Sequence, residues 1–168
     1  MTCIYGARGT DGRMMSRPLL AAAVRLSWGW EEVPTLIYSS RGKPDFTPAL
    51  GRWLSLSHSG GLVLCALSDS GPVGVDIERV CPRWERLPKR CLSPEEQADF
   101  DGSWEDFYRI WTLKESRCKQ TDTPLWPPKH ISVPPPTPHR SYGGKGWRAA
   151  VCCTDQPPED ICWIPLHI

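Results

Sequence analysis

Residues 107–116 read FYRIWTLKES, and this stretch decides how the rest of the chain is interpreted. Steps of four residues from Phe107 reach Trp111, Glu115 and Lys119, and residues so spaced lie on one stripe of an α-helix. Two large aromatic side chains on a stripe indicate a face that packs against a core. The carboxylate and ammonium that follow are either a surface ion pair or the functional end of that face.

The bulk composition is typical of a globular protein. The 168 residues suffice for one ordinary domain or two small lobes. The formal net charge of +1 gives no general attraction to nucleic acid or to an anionic membrane. Eight cysteines occur without a signal peptide, a C-x-x-C pair or zinc-ligand spacing, and no apolar run is long enough to span a bilayer. We therefore expect a cytoplasmic protein in a reducing compartment.

Helix and strand signals are mixed along the chain without regular alternation, which predicts an α+β fold. Helices are predicted at 17–28, at 92–100 with Ser93 as N-cap, and at 104–120. Strands are predicted at 35–40, 52–59, 62–68, 72–80, 147–154 and 161–168, with 62–68 and 72–80 forming a hairpin. Seven prolines between 124 and 138 indicate an extended loop or edge strand.

The motif GVDIE at 74–78 carries two carboxylates on one face of a strand. The period of two places Asp76 and Glu78 on that face, as an exposed strand of an antiparallel sheet would also do. With Glu115 they form a set of three oxygen donors, which suits a hard cation such as Mg²⁺.

Two further segments offer candidate phosphate ligands. SHSGG at 57–61 supplies hydroxyls, an imidazole and flexible backbone N–H groups, and Lys43 stands in a turn between Gly42 and Pro44. A histidine in a loop with no function is the alternative for His58.

Together these segments resemble the Sfp-type 4'-phosphopantetheinyl transferases, in particular the short bacterial acyl-carrier-protein group (holo-ACP synthase 2-like). The resemblance covers about residues 13–120 and is carried by the order and spacing of RGKPDF (41–46), LSLSHSGG (54–61), VGVDIE (73–78), LSPEE (92–96) and FYRIWTLKESRCKQ (107–120). A Gly-Val-Asp-Ile-Glu strand followed by a Trp-x-x-Lys-Glu-Ser-x-x-Lys helix is its most specific part.

The resemblance implies an enzyme of the holo-acyl-carrier-protein synthase class (EC 2.7.8.7). Such an enzyme transfers 4'-phosphopantetheine from coenzyme A to a serine of an apo acyl or peptidyl carrier protein and releases 3',5'-ADP. It also implies two similar α+β lobes with coenzyme A between them, here 1–80 and 81–168 in one compact unit, expected as a monomer. The N-terminal lobe is expected to be shortened, because only twelve residues precede Arg13.

The resemblance also assigns roles to individual residues. Asp76, Glu78 and Glu115 would hold Mg²⁺ or Mn²⁺ together with the coenzyme A pyrophosphate. The remaining assignments are basic or hydroxyl groups on coenzyme A: Lys119 and Lys114 at the pyrophosphate, Ser57 and His58 at the 3'-phosphate, Lys43 of the Gly-Lys-Pro turn, and Arg13. Glu115 is the favoured general base, and Glu96 of LSPEE is the alternative.

Two other functions are compatible with these residues. A catalytically silent module could bind coenzyme A or a carrier protein without transfer. A magnesium-dependent phosphohydrolase could use the same three carboxylates on simple esters.

Overall fold

The computed structural model describes residues 1–166, within which it contains nine β-strands and four α-helices. The predicted α+β class is confirmed. The strands are β1 (Thr2–Arg8), β2 (Ile37–Tyr38), β3 (Pro44–Asp45), β4 (Trp53–Ser59), β5 (Leu62–Ser68), β6 (Gly74–Arg79), β7 (His139–Gly144), β8 (Trp147–Cys152) and β9 (Cys162–Trp163). The helices are α1 (Gly12–Trp28), α2 (Leu87–Cys91), α3 (Pro94–Asp99) and α4 (Trp104–Thr121). The end of the predicted strand 161–168 lies outside the described residues.

The first sheet has the strand order β4-β5-β1-β9 and is covered on one face by α1. Strand β5 pairs antiparallel with both β4 and β1, and β9 lies parallel to β1. The apolar stripe of α1 packs on this sheet through fully buried side chains such as Leu19, Ala23 and Val24. No strand is predicted for the residues before Arg13, but they form β1, which lies between β5 and β9 in this sheet. Almost all side chains of β1 are buried there.

The second sheet has the order β6-β8-β7, and α4 lies across β6 and β8. Helix α4 begins after the N-cap Ser103 and is closed by the C-cap Asp122, whose φ of 50° is left-handed. The predicted helix at 104–120 is therefore confirmed. The helix predicted around Ser93 is confirmed as α3, which has the complete capping box formed by Ser93 and Glu96.

The predicted hairpin between 62–68 and 72–80 is wrong. Strand β5 pairs with β4 and β1, whereas β6 pairs with β8. The chain leaves the first sheet at Gly71, whose φ of 146° is accessible to glycine, and Pro72 follows. Turn residues between two apolar strands mark the change of direction but not the pairing partners, which are set by the burial of both strand faces.

Serine hydroxyls join the two sheets where β4 runs beside β6. The backbone N–H groups of Val75, Ile77 and Arg79 donate to the hydroxyls of serines at every second position of β4. These partners are Ser55, Ser57 and Ser59, at distances of 3.0, 3.2 and 3.1 Å. We call this arrangement the serine ladder. It fixes the register of β6 relative to β4 of the first sheet.

Among the described residues, no helix is long and apolar enough to cross a membrane. All eight cysteines are free thiols in the structure.

Candidate active site

Three carboxylates converge between β6 and α4. Strand β6 presents Asp76 and Glu78 on one face, while Val75 and Ile77 are fully buried. Helix α4 brings Glu115 to the same place, so that one oxygen atom from each carboxylate lies within 4.8 Å of the others. The alternation in GVDIE thus does not produce a solvated face, because α4 covers it.

Burial makes the charged form of the carboxylates in the cluster less favourable. Asp76 is only 1% exposed, and its Oδ2 atom has no hydrogen-bond partner within residues 1–166. Burial raises the pKa of Glu78. Burial, followed by the neighbouring Asp76 carboxylate, raises the pKa of Glu115 to about 7. Three carboxylates so close together, one buried and two half-buried, repel one another unless a cation compensates them.

Lys119 supplies part of that compensation. Its Nζ atom lies 2.7 Å from Asp76 Oδ1, 3.0 Å from Ser57 Oγ and 3.9 Å from Glu115 Oε2. Burial alone would lower the pKa of Lys119, but the Asp76 and Glu115 carboxylates raise it above its usual value. The contact with Asp76 is much closer than the contact with Glu115, so Lys119 is not simply the i,i+4 surface partner of Glu115.

The serine ladder holds two of the carboxylates. Ser57 Oγ donates to Asp76 Oδ1 and Ser59 Oγ donates to Glu78 Oε2, each over 2.7 Å. Ser59 was not predicted as a site residue, although the serines at every second position of LSLSHS (54–59) were a visible signal for it. Ser57 is buried against Asp76, so its hydroxyl faces the carboxylates.

The residues fit a hard divalent cation. The donor set consists only of carboxylate oxygens, it includes the unpartnered buried Oδ2 atom of Asp76, and its spacing allows one ion to contact all three residues. Mg²⁺ prefers such oxygen ligands and retains coordination positions for water or phosphate.

Lys43 shares a cleft with Glu115 of the cluster, which we call the candidate cleft. It has a volume of about 320 Å³, and its lining includes Lys43, Glu115, Lys119 and Leu125. The Lys43 ammonium donates to Asp45 Oδ2 over 3.0 Å and to the Leu54 carbonyl over 3.1 Å. Lys43 therefore lines the cleft with an ammonium group that Asp45 holds in place.

His58 and the start of α1 lie close together at the end of the β4–β5 hairpin. His58 is exposed, and it lies on a strand rather than in a loop, with Val63 as its pairing partner. The start of α1 packs against the same hairpin: the Gly12 N–H donates to the Gly60 carbonyl over 2.8 Å. A Cβ atom at Gly12 would lie only 3.0 Å from the Cβ atom of His58. The exposed Arg13 begins α1 beside this point.

Glu96 and Lys114 form a separate buried pair. The Lys114 ammonium is fully buried and donates to Glu96 Oε1 over 2.7 Å and to the carbonyls of Pro128 and Ile131 over 2.9 and 2.8 Å. The other Glu96 oxygen accepts from the Ser93 N–H over 2.8 Å. The structure does not bring these two residues to the carboxylate cluster; it uses them to hold the proline-rich segment and α3 against α4.

The aromatic part of the α4 stripe supports the cluster. Phe107 is 1% exposed and stacks on the half-buried Trp111 with ring centroids 5.8 Å apart. Glu115 follows Trp111 one turn further along the same helix, and the Trp111 side chain partly offsets the rise in the pKa of Glu115. The stripe therefore changes from core packing to site chemistry within two turns of one helix.

About half of the chain, which contains the candidate site, matches a known protein superfamily. Residues 72–152, which include Asp76, Glu78, Glu115 and Lys119, match the 4'-phosphopantetheinyl transferase superfamily. The predicted resemblance to this superfamily is confirmed over this region.

Particular relatives include 4'-phosphopantetheinyl transferase AcpT of Escherichia coli (strain K12), which is 40% identical over 114 residues, or 64% of this chain and 58% of the relative. A second is 4'-phosphopantetheinyl transferase Sfp of Bacillus subtilis (strain 168), which is 32% identical over 146 residues, or 73% of this chain and 65% of the relative. The chain thus spans somewhat less than two thirds of the length of the curated relatives it matches.

Proposed function

We propose that the chain is a 4'-phosphopantetheinyl transferase, which moves phosphopantetheine from coenzyme A to a serine of an apo acyl or peptidyl carrier protein. The observation that carries the proposal is the convergence of Asp76, Glu78 and Glu115 beside Lys119. All four residues lie in the region that matches the superfamily.

In this proposal the three carboxylates bind Mg²⁺ or Mn²⁺, which, when bound, neutralises charge on the pyrophosphate and makes its phosphorus more electrophilic. Lys43 and Lys119 both line the candidate cleft, and in this proposal they contact the phosphates of coenzyme A. His58 and Arg13 bind the 3'-phosphate at the hairpin end, where both side chains are exposed.

The transfer itself needs a base and a stabilised leaving group. The serine oxygen forms a bond to the phosphorus that bears the pantetheine arm, the phosphoanhydride bond breaks, and 3',5'-ADP leaves. Glu115 accepts the serine proton, and Lys119 stabilises the negative charge on the departing phosphate. Glu115 suits the role better than Glu96, because both oxygens of Glu96 already accept hydrogen bonds from Lys114 and Ser93.

We also propose the larger setting of this activity. A division into two lobes is supported by the two sheets, each covered by its own helix, α1 or α4. The boundary between the lobes lies before β6 rather than at residue 80, because β6 pairs within the second sheet. Eight free thiols are typical of a reducing, cytoplasmic compartment. We expect a monomer that meets its carrier protein directly.

The test is intact-mass spectrometry of several apo carrier proteins after incubation with the protein, coenzyme A and Mg²⁺. We expect at least one carrier to gain a single phosphopantetheine group. Binding of coenzyme A with no carrier gaining mass would indicate a silent binding module. Release of inorganic phosphate from simple esters without a carrier would indicate a phosphohydrolase.

A further inference from the structure

Asp122, the residue that closes α4, has a backbone conformation that favours glycine. Within residues 1–166 it is the one non-glycine residue with a positive φ, and its φ of 50° is left-handed. Aspartate tolerates this conformation better than most residues do, but glycine adopts it without steric cost. The aspartate side chain at this position makes contacts that glycine could not make.

These contacts join α4 to the turn that carries Lys43. Ser39 Oγ donates to Asp122 Oδ1 over 3.0 Å. Arg41 Nη1 donates to the Asp122 backbone carbonyl over 3.0 Å and lies 3.9 Å from Asp122 Oδ2. The guanidinium thus stands at the C-terminal end of α4, where the helix dipole favours a cation. We call Ser39, Arg41 and Asp122 the Asp122 clasp.

The clasp is continuous with the backbone of Lys43. The Ser39 hydroxyl accepts from the backbone N–H groups of Arg41 and Lys43, each over 3.2 Å. The Ser39 N–H donates to the Lys43 carbonyl over 3.0 Å, and the Gly42 N–H donates to the Ser39 carbonyl over 2.9 Å. The hydroxyl that organises this turn is therefore the same one that donates to Asp122, and such chained bonds strengthen one another.

The turn that carries Lys43 has little buried apolar surface of its own. Strands β2 and β3, which flank it, have two residues each, and both residues of β2 are exposed. The Lys43 ammonium donates to Asp45 and to the Leu54 carbonyl, both on the side of the first sheet. Within residues 1–166, the hydrogen bonds from this turn to α4 and its C-cap are those of the clasp. Segments with so little burial open at a low cost in free energy, so the clasp is well placed to fix the turn against α4.

We propose that Asp122 is a positioning residue: through the clasp it holds Lys43 at the distance from Lys119 that coenzyme A requires. The inference rests on the proposed function, in which both ammonium groups contact the phosphates of coenzyme A. Lys43, Lys119 and Asp122 all line the candidate cleft. Lys43 uses two of its three N–H donors on protein oxygens, which leaves one for a phosphate. Donors that are fixed before the ligand arrives lower the entropic cost of binding.

Two substitutions at Asp122 separate the clasp from the charge of the carboxylate. Asp122→Gly suits the left-handed C-cap and removes the side-chain contacts, whereas Asp122→Asn keeps an oxygen that accepts from Ser39 and removes the charge. By isothermal titration calorimetry, we expect Asp122→Gly to raise the dissociation constant of coenzyme A about fivefold, the value of one net hydrogen bond. Asp122→Asn should retain most of the affinity. Tighter binding in both variants, as expected if the carboxylate only repels phosphate, or an unchanged constant in Asp122→Gly would overturn the proposal.

Lys43→Met tests whether the clasp acts through Lys43. In this background Asp122→Gly should change the dissociation constant of coenzyme A by less than about twofold, because the ammonium that the clasp positions is gone. In the parent background, Asp122→Gly should raise KM for coenzyme A and leave kcat at saturating coenzyme A close to that of the parent, since Glu115 keeps its place on α4. An equal loss of affinity in the two backgrounds would overturn the proposal.

Amide hydrogen exchange of residues 37–45 tests the clasp without any ligand. Exchange should be faster in Asp122→Gly and in Ser39→Ala than in the parent, with Asp122→Asn close to the parent. Unchanged exchange in the first two variants would overturn the clasp, whatever the activity. Carrier labelling by the parent with equal affinity for coenzyme A in all variants would overturn this inference alone, whereas a parent that binds no coenzyme A would overturn the proposed function as well.

Discussion

Glu115 is the residue on which core packing and chemistry meet. We predict that Glu115→Gln keeps the fold, since the shape is nearly unchanged, but lowers carrier labelling by about 100-fold or more through loss of a metal ligand and base. Glu105→Gln, an exposed position on the same helix, is the matched control. Thermal melting and carrier labelling are measured side by side. A lower melting temperature with normal labelling per folded molecule would show that Glu115 is only an ion-pair partner of Lys119 and takes no part in the transfer.

His58 is exposed at the hairpin end, next to the start of α1. We predict that His58→Ala weakens coenzyme A binding but barely changes binding of dephospho-coenzyme A, because only the former carries the 3'-phosphate that His58 is proposed to contact. Isothermal titration calorimetry with both ligands measures the difference. An equal loss for both ligands would mean that His58 acts only structurally.

The carboxylate residues could be predicted from sequence, whereas their supporting residues could not. Period two in GVDIE and period four after Phe107 are local patterns, and they identified Asp76, Glu78 and Glu115. The role of Ser59 depends on which strand lies beside β4, a long-range fact that no local pattern contains. The burial of Lys114 likewise depends on where the proline-rich segment returns.

At the scale of the element, the aromatic stripe of α4 sets the position of Glu115. We predict that Trp111→Ala destabilises the fold by about 3 kcal/mol, the lower end for a lost aromatic side chain, because Trp111 is only half-buried. Phe107→Ala should cost more, since Phe107 is 1% exposed. Urea unfolding measures both. A larger loss for Trp111→Ala than for Phe107→Ala would contradict this assignment of the stripe.

The pair formed by Lys114 and Glu96 makes a different prediction for the same helix. Lys114→Met leaves the Glu96 carboxylate buried without its partner and should cost about 3–5 kcal/mol of unfolding free energy. The double variant Lys114→Met/Glu96→Gln should recover part of that loss, because the unpaired charge is gone. Unfolding in urea gives the free energies. Unchanged stability with weakened coenzyme A binding would instead make Lys114 a ligand contact.

For the whole molecule, the carboxylate cluster links metal binding to stability. We predict that Mg²⁺ raises the melting temperature of metal-free protein, because a cation that binds only the folded state stabilises it and relieves carboxylate repulsion. Carrier labelling should disappear with EDTA. Asp76→Asn should largely abolish the shift in melting temperature. Full labelling in metal-free buffer would rule out the metal site.

The α+β class followed from the sequence because helix and strand signals are local. The arrangement of the sheets did not follow, because DSGP at 69–72 reads as a hairpin turn whether or not the flanking strands pair. Strand β1 was missed because TCIYGAR is short and lacks a clear alternation, and its burial on both sides becomes visible only in the assembled sheet.

The serine ladder also sets how the carboxylates of β6 are oriented. Ile77 N–H donates to Ser57 Oγ, which donates to Asp76, and Arg79 N–H donates to Ser59 Oγ, which donates to Glu78. In each case the amide polarises the hydroxyl that serves the carboxylate one residue earlier, and such chained bonds strengthen one another. The hydroxyl protons thus point in one direction before any ligand arrives. Strand β6 therefore uses its own peptide dipoles to hold its acidic side chains in a fixed orientation.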